Sequence, residues 1–207
     1  MKALIIADLQ NDYYSLGPLA IQGVDDILPI ANQLAASDYF DVVVATQDWH
    51  PANHKSFAAN HYWRYPGQEM DLNGVNQRLW GIHGVQESLG ADFIEELNLE
   101  VIDKIVQKGQ NPEVDSYSPF FDNNKEQASD LANFLQEHKV EQVFILGVAT
   151  EYTVAYTAKD ALALGFQTFI VEDACKACNW EAEDGAKALQ ELEKAGVVLL
   201  DSDQLIL

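Results

Sequence analysis

Residues 42–45 read VVVA, an apolar run with no alternation between polar and apolar positions. A strand that faces water on one side alternates, whereas a strand covered on both faces is apolar throughout. The run therefore predicts a buried strand of a parallel sheet that has helices on both faces.

Similar short apolar runs recur on both sides of this one and alternate with longer helical patterns, which is typical of strand–helix–strand units. The predicted strands are 3–7, 41–46, 101–107, 142–146, 167–171 and 197–200, and helices lie near 24–36, 125–138, 150–164 and 182–195. We expect a three-layer α/β fold with a doubly wound, six-stranded, mostly parallel sheet. The length of 207 residues, without repeat or linker, predicts a single domain over 1–207. A long irregular stretch at about 48–89 is rich in aromatic, His, Gly and Pro residues, and such loops are usually functional.

The charge balance narrows the range of partners. With 12 Lys+Arg against 33 Asp+Glu, the net charge of −21 disfavours binding to nucleic acid and to anionic membranes. The apolar N-terminal run before Asp8 is too short for a signal-peptide core or a membrane span. Two cysteines imply no disulfide framework, so we expect a cytoplasmic protein. A zinc site at Cys175 and Cys178 would need two more ligands, and Cys175 is expected to pack in the core.

Polar residues follow several predicted strands, at the edge where doubly wound sheets bind ligands. Asp8 follows the first strand, and it is either a general base or a cap of the next turn. Lys108 follows the third strand; opposite Asp8 it would be a fixed cation that orients the carboxylate, although a lysine here is more often solvated.

A metal site is predicted after the second strand. Asp48 and His50 are two residues apart on an extended strand end and point the same way, so one ion can take both. His83 would close the site from the end of the long stretch, with His54, Ser56 or a water in the remaining position. Two imidazoles and a carboxylate suit Zn²⁺, Fe²⁺ or Mn²⁺. A histidine-rich loop without metal is the plainer alternative.

Residues 145–154, ILGVATEYTV, run from a strand through a glycine into a helix start. Such a turn aims free backbone N–H groups at an anion, while a side chain of the first helical turn faces the substrate. An ordinary strand–helix turn with Thr150 as N-cap is the alternative. No glycine-rich phosphate loop follows the first strand, which disfavours a Rossmann oxidoreductase or an NTPase.

Taken together, these segments resemble the nicotinamidases (pyrazinamidases) of the isochorismatase-like cysteine hydrolases, in the same order over nearly the whole chain. The matching segments are 8–12 (DLQND), 48–51 (DWHP), 80–83 (WGIH), Lys108, 115–118 (DSYS), 120–122 (FFD) and 147–152 (GVATEY).

The resemblance implies a role for each matching residue. Asp8 would be the general base with Lys108 as its partner, and one divalent metal ion would be bound by Asp48, His50 and His83. His54 or Ser56 would lie near the remaining part of the metal shell.

The resemblance also implies the substrate pocket. Tyr13 and Trp80 would sandwich the pyridine ring of a nicotinamide-like amide, whose ring nitrogen the metal binds. Backbone N–H groups of Ala149 and Thr153 would form the oxyanion hole, with a cis peptide between Val148 and Ala149. Relatives often form oligomers, so the resemblance also allows a homo-oligomer.

Thr153 stands where the family has its nucleophilic cysteine. A thiol beside a base ionises readily, whereas an unassisted hydroxyl is a weak nucleophile. We therefore expect impaired hydrolysis of nicotinamide to nicotinate and ammonia. The alternatives are a non-catalytic protein that binds or senses nicotinamide, and a hydrolase of the same fold for another substrate. The glycines at 81 and 84 also depart from the family pattern, which indicates a reshaped loop.

Overall fold

A computed structural model describes residues 1–205 and contains eight strands and four α-helices in that range. The strands are β1 Lys2–Ala7, β2 Val42–Asp48, β3 Glu69–Leu72, β4 Val75–Arg78, β5 Lys104–Lys108, β6 Gln142–Val148, β7 Gln167–Lys176 and β8 Val198–Leu200. The helices are α1 Val24–Ala35, α2 Leu131–Glu137, α3 Ala155–Ala163 and α4 Asp184–Ala195.

Six of the strands form one parallel sheet in the order β5-β2-β1-β6-β7-β8. The chain moves from β1 to β2 in one direction and from β6 through β7 to β8 in the other. Because such crossovers are right-handed, α1 covers one face of the sheet, and α3 and α4 cover the other. Every residue of β2 is buried, so the predicted doubly wound α/β fold is confirmed.

The long stretch after β2 is more ordered than predicted. It contains an antiparallel hairpin, in which β3 pairs with β4, and a short 3₁₀ turn at Ala58–Asn60. Residues 76–78 of β4 are polar in succession, as in a loop, and a separate two-stranded sheet was not predicted.

Several predicted boundaries were wrong, each for a local reason. The strand predicted from 101 begins at Lys104, because Leu99–Val101 forms a 3₁₀ turn. The helix predicted from 125 begins at Leu131, because Asp122 Oδ1 accepts backbone N–H bonds from residues 126 and 127 and holds them in a turn. β7 continues to Lys176 after a register shift against β6.

The strand order changes direction between β1 and β6, and this places the candidate site. Asp48 and Lys108 are paired residues at the ends of β2 and β5, and Ala7 and Gly147 are paired at the ends of β1 and β6. The side chains that follow these four strands therefore meet at one edge of the sheet.

Within residues 1–205, no helix is both long enough and apolar enough to cross a membrane.

Candidate active site

The three predicted catalytic side chains meet at the edge of the sheet, and all three are buried. Thr153 Oγ1 donates a hydrogen bond to Asp8 Oδ2 over 2.6 Å, and Lys108 Nζ lies 2.9 Å from the same oxygen. Thr46 Oγ1 donates to the other oxygen, Oδ1, over 2.5 Å. The Asp8 carboxylate is therefore held by a cation and two hydroxyl groups, one of which belongs to the residue at the nucleophile position.

Burial sets the proton affinity of Asp8. Loss of solvent raises its pKa, and Lys108 and the two hydroxyl groups only partly offset this, so the pKa lies above the ordinary value of 3.8. Burial alone would lower the pKa of Lys108, but the carboxylates of Asp48 and Asp8 outweigh it and raise that pKa. The site therefore contains a permanently charged ammonium beside a carboxylate that is more basic than an exposed aspartate.

Asp48 joins this group to the predicted metal ligands. Its Oδ1 accepts from Lys108 Nζ, and its Oδ2 accepts from the Tyr13 hydroxyl. Gln10 fixes its backbone from both sides, accepting from Asp48 N over 2.8 Å and donating to Asp48 O over 2.9 Å. Burial raises the pKa of Asp48, but Lys108 and the two neighbouring histidines outweigh burial and lower it, so Asp48 remains ionised.

His83 presents a free ring nitrogen to Asp48. Its Nδ1 donates to the Gly81 carbonyl over 2.9 Å, which leaves the Nε2 lone pair 3.7 Å from Asp48 Oδ2. Burial lowers the pKa of His83 to about 4, so the ring is neutral at physiological pH. A neutral imidazole whose tautomer is fixed by a second hydrogen bond is the form that binds a metal ion.

His50 has a similar arrangement through a residue that was not assigned a role from the sequence. Its Nε2 lies 3.0 Å from Asp115 Oδ1, and its buried Nδ1 has no hydrogen-bond partner among residues 1–205. Burial would lower the pKa of His50, but the Asp115 carboxylate outweighs burial and raises it. Conversely, burial would raise the pKa of Asp115, but the neighbouring His50 outweighs burial and lowers it. Asp115 begins the DSYS segment, and that segment was its only signal in the sequence.

The residues at this edge fit a divalent cation. One ligand atom from each of Asp48, His50 and His83 lies within 4.8 Å of the others. The site contains three buried carboxylates, those of Asp8, Asp48 and Asp115, and one buried lysine. Two negative charges are therefore uncompensated when the carboxylates are ionised and the imidazoles are neutral. One divalent ion balances these charges, and the nitrogen and oxygen donors suit Zn²⁺, Fe²⁺ or Mn²⁺.

The two further ligand candidates are turned toward each other. His54 Nδ1 lies 2.7 Å from Ser56 Oγ and accepts from Ser56 N over 3.0 Å. His54 lies within ligand reach of His50 and Asp115, in a group separate from that of Asp48 and His83. Burial lowers the pKa of His54, so this ring is also held neutral.

The turn after β6 has the predicted cis peptide between Val148 and Ala149. Thr150–Val154 then forms a π-helical turn in which the Ala149 carbonyl accepts from Tyr152 N over 3.1 Å and from Val154 N over 3.2 Å. In a regular α-helix that carbonyl would accept from Thr153 N, so the π turn leaves this N–H group available for an anion.

These groups surround a cavity that is partly open to solvent. Tyr13 and Trp80 both line it, with their rings 5.9 and 6.3 Å from the His83 ring. Tyr117 and Tyr152 also line it; each lies in a segment that carried the resemblance, but neither was assigned a role.

Both cysteines are free, and they differ in position. Cys175 is buried as predicted, whereas Cys178 lines the cavity, a position with no signal in the sequence. Burial raises the pKa of Cys178 to about 11, so its thiol is protonated at neutral pH and is a weak nucleophile.

The chain matches known proteins over almost its whole length. The sequence-family model of the isochorismatase domain matches residues 2–204. The nicotinamidase of Escherichia coli (strain K12) is 40% identical over 202 residues, which cover 96% of this chain and 93% of that protein. Among solved structures, a nicotinamidase–pyrazinamidase of Acinetobacter baumanii has a TM-score of 0.95 and 38% identity over 99% of this chain and 98% of its own. The pyrazinamidase of Pyrococcus horikoshii in complex with zinc has a TM-score of 0.77 and 34% identity over 97% and 98%.

Proposed function

Because the chain belongs to the isochorismatase family, we propose that it is a nicotinamidase-like amidohydrolase that converts nicotinamide and water to nicotinate and ammonia, with impaired turnover. The observation that carries this proposal is the hydrogen bond of 2.6 Å from Thr153 Oγ1 to Asp8 Oδ2, beside Lys108. It has the geometry of a nucleophile next to a general base that a third group orients.

In the proposed reaction, Asp8 accepts the proton of the Thr153 hydroxyl as its oxygen attacks the amide carbon. Lys108 keeps the carboxylate oriented and offsets developing negative charge. The backbone N–H groups of Ala149 and Thr153 stabilise the oxyanion, and Asp8 returns the proton to the departing ammonia. Water then releases nicotinate from the ester.

The proposed metal site consists of Asp48, His50 and His83, with Asp115 as the partner that orients His50. A bound divalent ion would hold the ring nitrogen of the substrate and withdraw electron density from the ring. Tyr13 and Trp80 would hold the two faces of that ring.

Impairment follows from the chemistry of Thr153. An unassisted hydroxyl holds its proton far more tightly than a thiol, and the methyl group on the same β-carbon crowds the attacking oxygen. Loss of the nucleophile of a comparable catalytic unit costs on the order of 10⁶ in rate. The Asp8 carboxylate is more basic than an exposed aspartate, but a carboxylate remains far too weak a base to replace that factor by deprotonating an alcohol.

The second candidate function is a protein that binds or senses nicotinamide without turnover. Thr153 favours it directly, because the pocket retains aromatic walls and metal ligands around a poor nucleophile. The buried Asp8–Lys108 pair favours the hydrolase, because a binding protein has less need of a base at this position.

The deciding experiment measures ammonia release from nicotinamide by the unmodified chain, Thr153→Cys and Thr153→Val, each with Zn²⁺, Mn²⁺ or Fe²⁺ added. We expect Thr153→Cys to exceed the unmodified chain by about 10³-fold or more, since the thiol ionises beside Asp8. Thr153→Val keeps the shape without the hydroxyl and should be inactive. Rapid turnover by the unmodified chain would contradict the impairment, and binding of nicotinamide without turnover by Thr153→Cys would favour the binding protein.

A separate measurement tests the metal ligands. We expect the metal content of Asp48→Ala and His83→Ala to fall by about tenfold or more relative to the unmodified chain, because each loses one of three protein ligands. His138→Ala is the matched control, because His138 is an exposed histidine directly after α2 and outside the candidate metal site. Metal content measured by mass spectrometry that is equal in all four proteins would refute the assignment.

A further inference from the structure

The hydroxyl oxygen of Tyr117 accepts two hydrogen bonds from neighbouring side chains. Gln77 Nε2 donates to it over 2.8 Å, and Trp80 Nε1 donates over 3.2 Å. The indole N–H is only a donor, and a phenol oxygen has two lone pairs, so these bonds use its whole accepting capacity.

The direction of the bond from Gln77 is fixed by its other partners. Gln77 Nε2 also lies 2.7 Å from the Arg78 carbonyl and 3.3 Å from Asp115 Oδ2. Gln77 Oε1 accepts from Asn123 Nδ2 over 3.2 Å. Reversing the amide would place an oxygen against the Arg78 carbonyl and a nitrogen against the Asn123 amide. Gln77 therefore donates to Tyr117, and the Tyr117 hydroxyl does not donate to Gln77.

The hydroxyl hydrogen of Tyr117 must then point elsewhere. Burial, with Asp115 nearby, raises the pKa of Tyr117 well above 10, so the proton is retained at neutral pH. No acceptor for it lies within hydrogen-bond distance in the part of the chain that the structure describes. Because Tyr117 lines the active-site cavity, the ligand side is the direction left for this donor.

Nicotinamide has no acceptor to spare for this donor under the proposed function, on which this inference rests. In the proposed binding mode, its ring nitrogen would face the metal ligands and its carbonyl oxygen would face the N–H groups of Ala149 and Thr153. The rest of the ring edge is C–H. An unpaired donor on a buried wall disfavours such a ligand and favours one with an additional acceptor.

We propose that Tyr117 is a specificity-determining residue whose hydroxyl donates to a second ring acceptor, so that the pocket prefers aromatic carboxamides with two ring nitrogens over those with one. The residue acts on ligand choice through a single hydrogen bond. Trp80 and Gln77 keep the hydroxyl turned toward the ligand.

The test measures Kd by calorimetry for nicotinamide, pyrazinamide and pyrimidine-5-carboxamide with the zinc-loaded chain and with Tyr117→Phe. Slow turnover at Thr153 allows equilibrium binding to be measured. The readout is the ratio of Kd for nicotinamide to Kd for each diazine, that is, pyrazinamide or pyrimidine-5-carboxamide. This ratio is compared between the two proteins, so differences in ring basicity among the ligands cancel. For at least one diazine, we expect Tyr117→Phe to lower this ratio by about fivefold, the range of one net hydrogen bond.

Tyr156→Phe is the control, because its ring lies 5.0 Å from that of Tyr117 but does not line the cavity. It should leave every ratio unchanged. A purely structural role of Tyr117 would change all three Kd values by the same factor and leave the ratios unchanged. Unchanged ratios in Tyr117→Phe would therefore overturn the inference, while the proposed function would stand. If none of the three carboxamides binds the unmodified chain, both are overturned.

Discussion

Asp8 is the residue on which the candidate chemistry depends, and its surroundings come from four separate segments. Asp8 itself directly follows β1, while β2 supplies Thr46, β5 supplies Lys108, and the turn after β6 supplies Thr153. The hydrogen bonds from the two hydroxyls stabilise the ionised form and so lower the pKa that burial raises.

Removal of the Thr46 hydroxyl should therefore shift the pH dependence of the reaction. In the Thr153→Cys background, which we expect to be active, kcat/KM should fall as pH drops through the pKa of Asp8, which is raised above 3.8 in the unmodified chain. Thr46→Val removes a hydrogen bond to the carboxylate, so the acid limb should move to higher pH by about 0.5 to 1 unit. The measurement is a kcat/KM profile against pH.

Thr168→Val is the matched control for this prediction. Thr168 is also a buried threonine, but its hydroxyl donates to the Phe166 carbonyl, away from the site. Its acid limb should coincide with that of the parent protein. An acid limb of Thr46→Val that is unmoved, or moved to lower pH, would show that Asp8 does not control the reaction.

At this scale, the sequence indicated residues that follow strands and missed their partners. Asp8, Asp48 and Lys108 were identifiable because each follows an apolar run. Thr46 was not, because a threonine inside a strand gives no signal until the register of the neighbouring strand is known. Asp115 was indicated only as part of the DSYS segment, without a role. Tertiary pairing supplies that information.

Among the elements, the turn that ends β6 has little tolerance for change. Gly147 has a φ of +117°, and a Cβ atom built there would lie 2.2 Å from the Ala7 carbonyl oxygen of β1. No side chain fits between these paired strands without moving the backbone that leads to Asp8 and to Thr153.

Gly147→Ala should accordingly destabilise the protein by about 3 kcal/mol, combining the unfavourable φ with overpacking against β1. Gly196→Ala provides the comparison, because Gly196 has a φ of +106° but no atom within 4 Å of the added Cβ. Its cost should be about 1 kcal/mol, from the backbone alone. Urea unfolding measures both, and equal costs would show that contact with Ala7 is unimportant.

The elements that the sequence predicted well are those with strong apolar patterns. All six strands of the main sheet were predicted, and these strands and the four helices follow one another along the chain in the predicted order. The errors fell where local hydrogen bonds compete with a helical or extended pattern, as at Asp122. The hairpin of β3 and β4 was missed because its mixed polar residues resemble a loop.

At the scale of the whole molecule, the net charge of −21 is the dominant feature. Self-repulsion of this size destabilises the compact state, and salt screens it over a distance of about 10 Å at 0.1 M. The melting temperature should therefore rise by a few degrees between about 0.01 and 0.5 M NaCl. Scanning calorimetry or thermal circular dichroism measures the change.

The control removes charge without touching the core. Glu95, Glu96 and Glu100 are exposed, and their combined replacement by Gln removes three of the 33 acidic side chains. This variant should show a higher melting temperature at low salt and a smaller rise with NaCl. A melting temperature that falls with salt would indicate that attractive ion pairs outweigh the repulsion.

Lys108 contacts Asp8 on one side and Asp48 on the other, and this shared position has a thermodynamic consequence. Two equilibria, proton binding at Asp8 and cation binding at Asp48, act on the same ammonium group and so are not independent. A bound cation adds positive charge near Asp8 and lowers its proton affinity; by reciprocity, loss of that proton strengthens cation binding by the same factor. Cation binding therefore shifts the pKa of Asp8, and with it the acid limb of catalysis, by the same free energy by which ionisation of Asp8 strengthens cation binding.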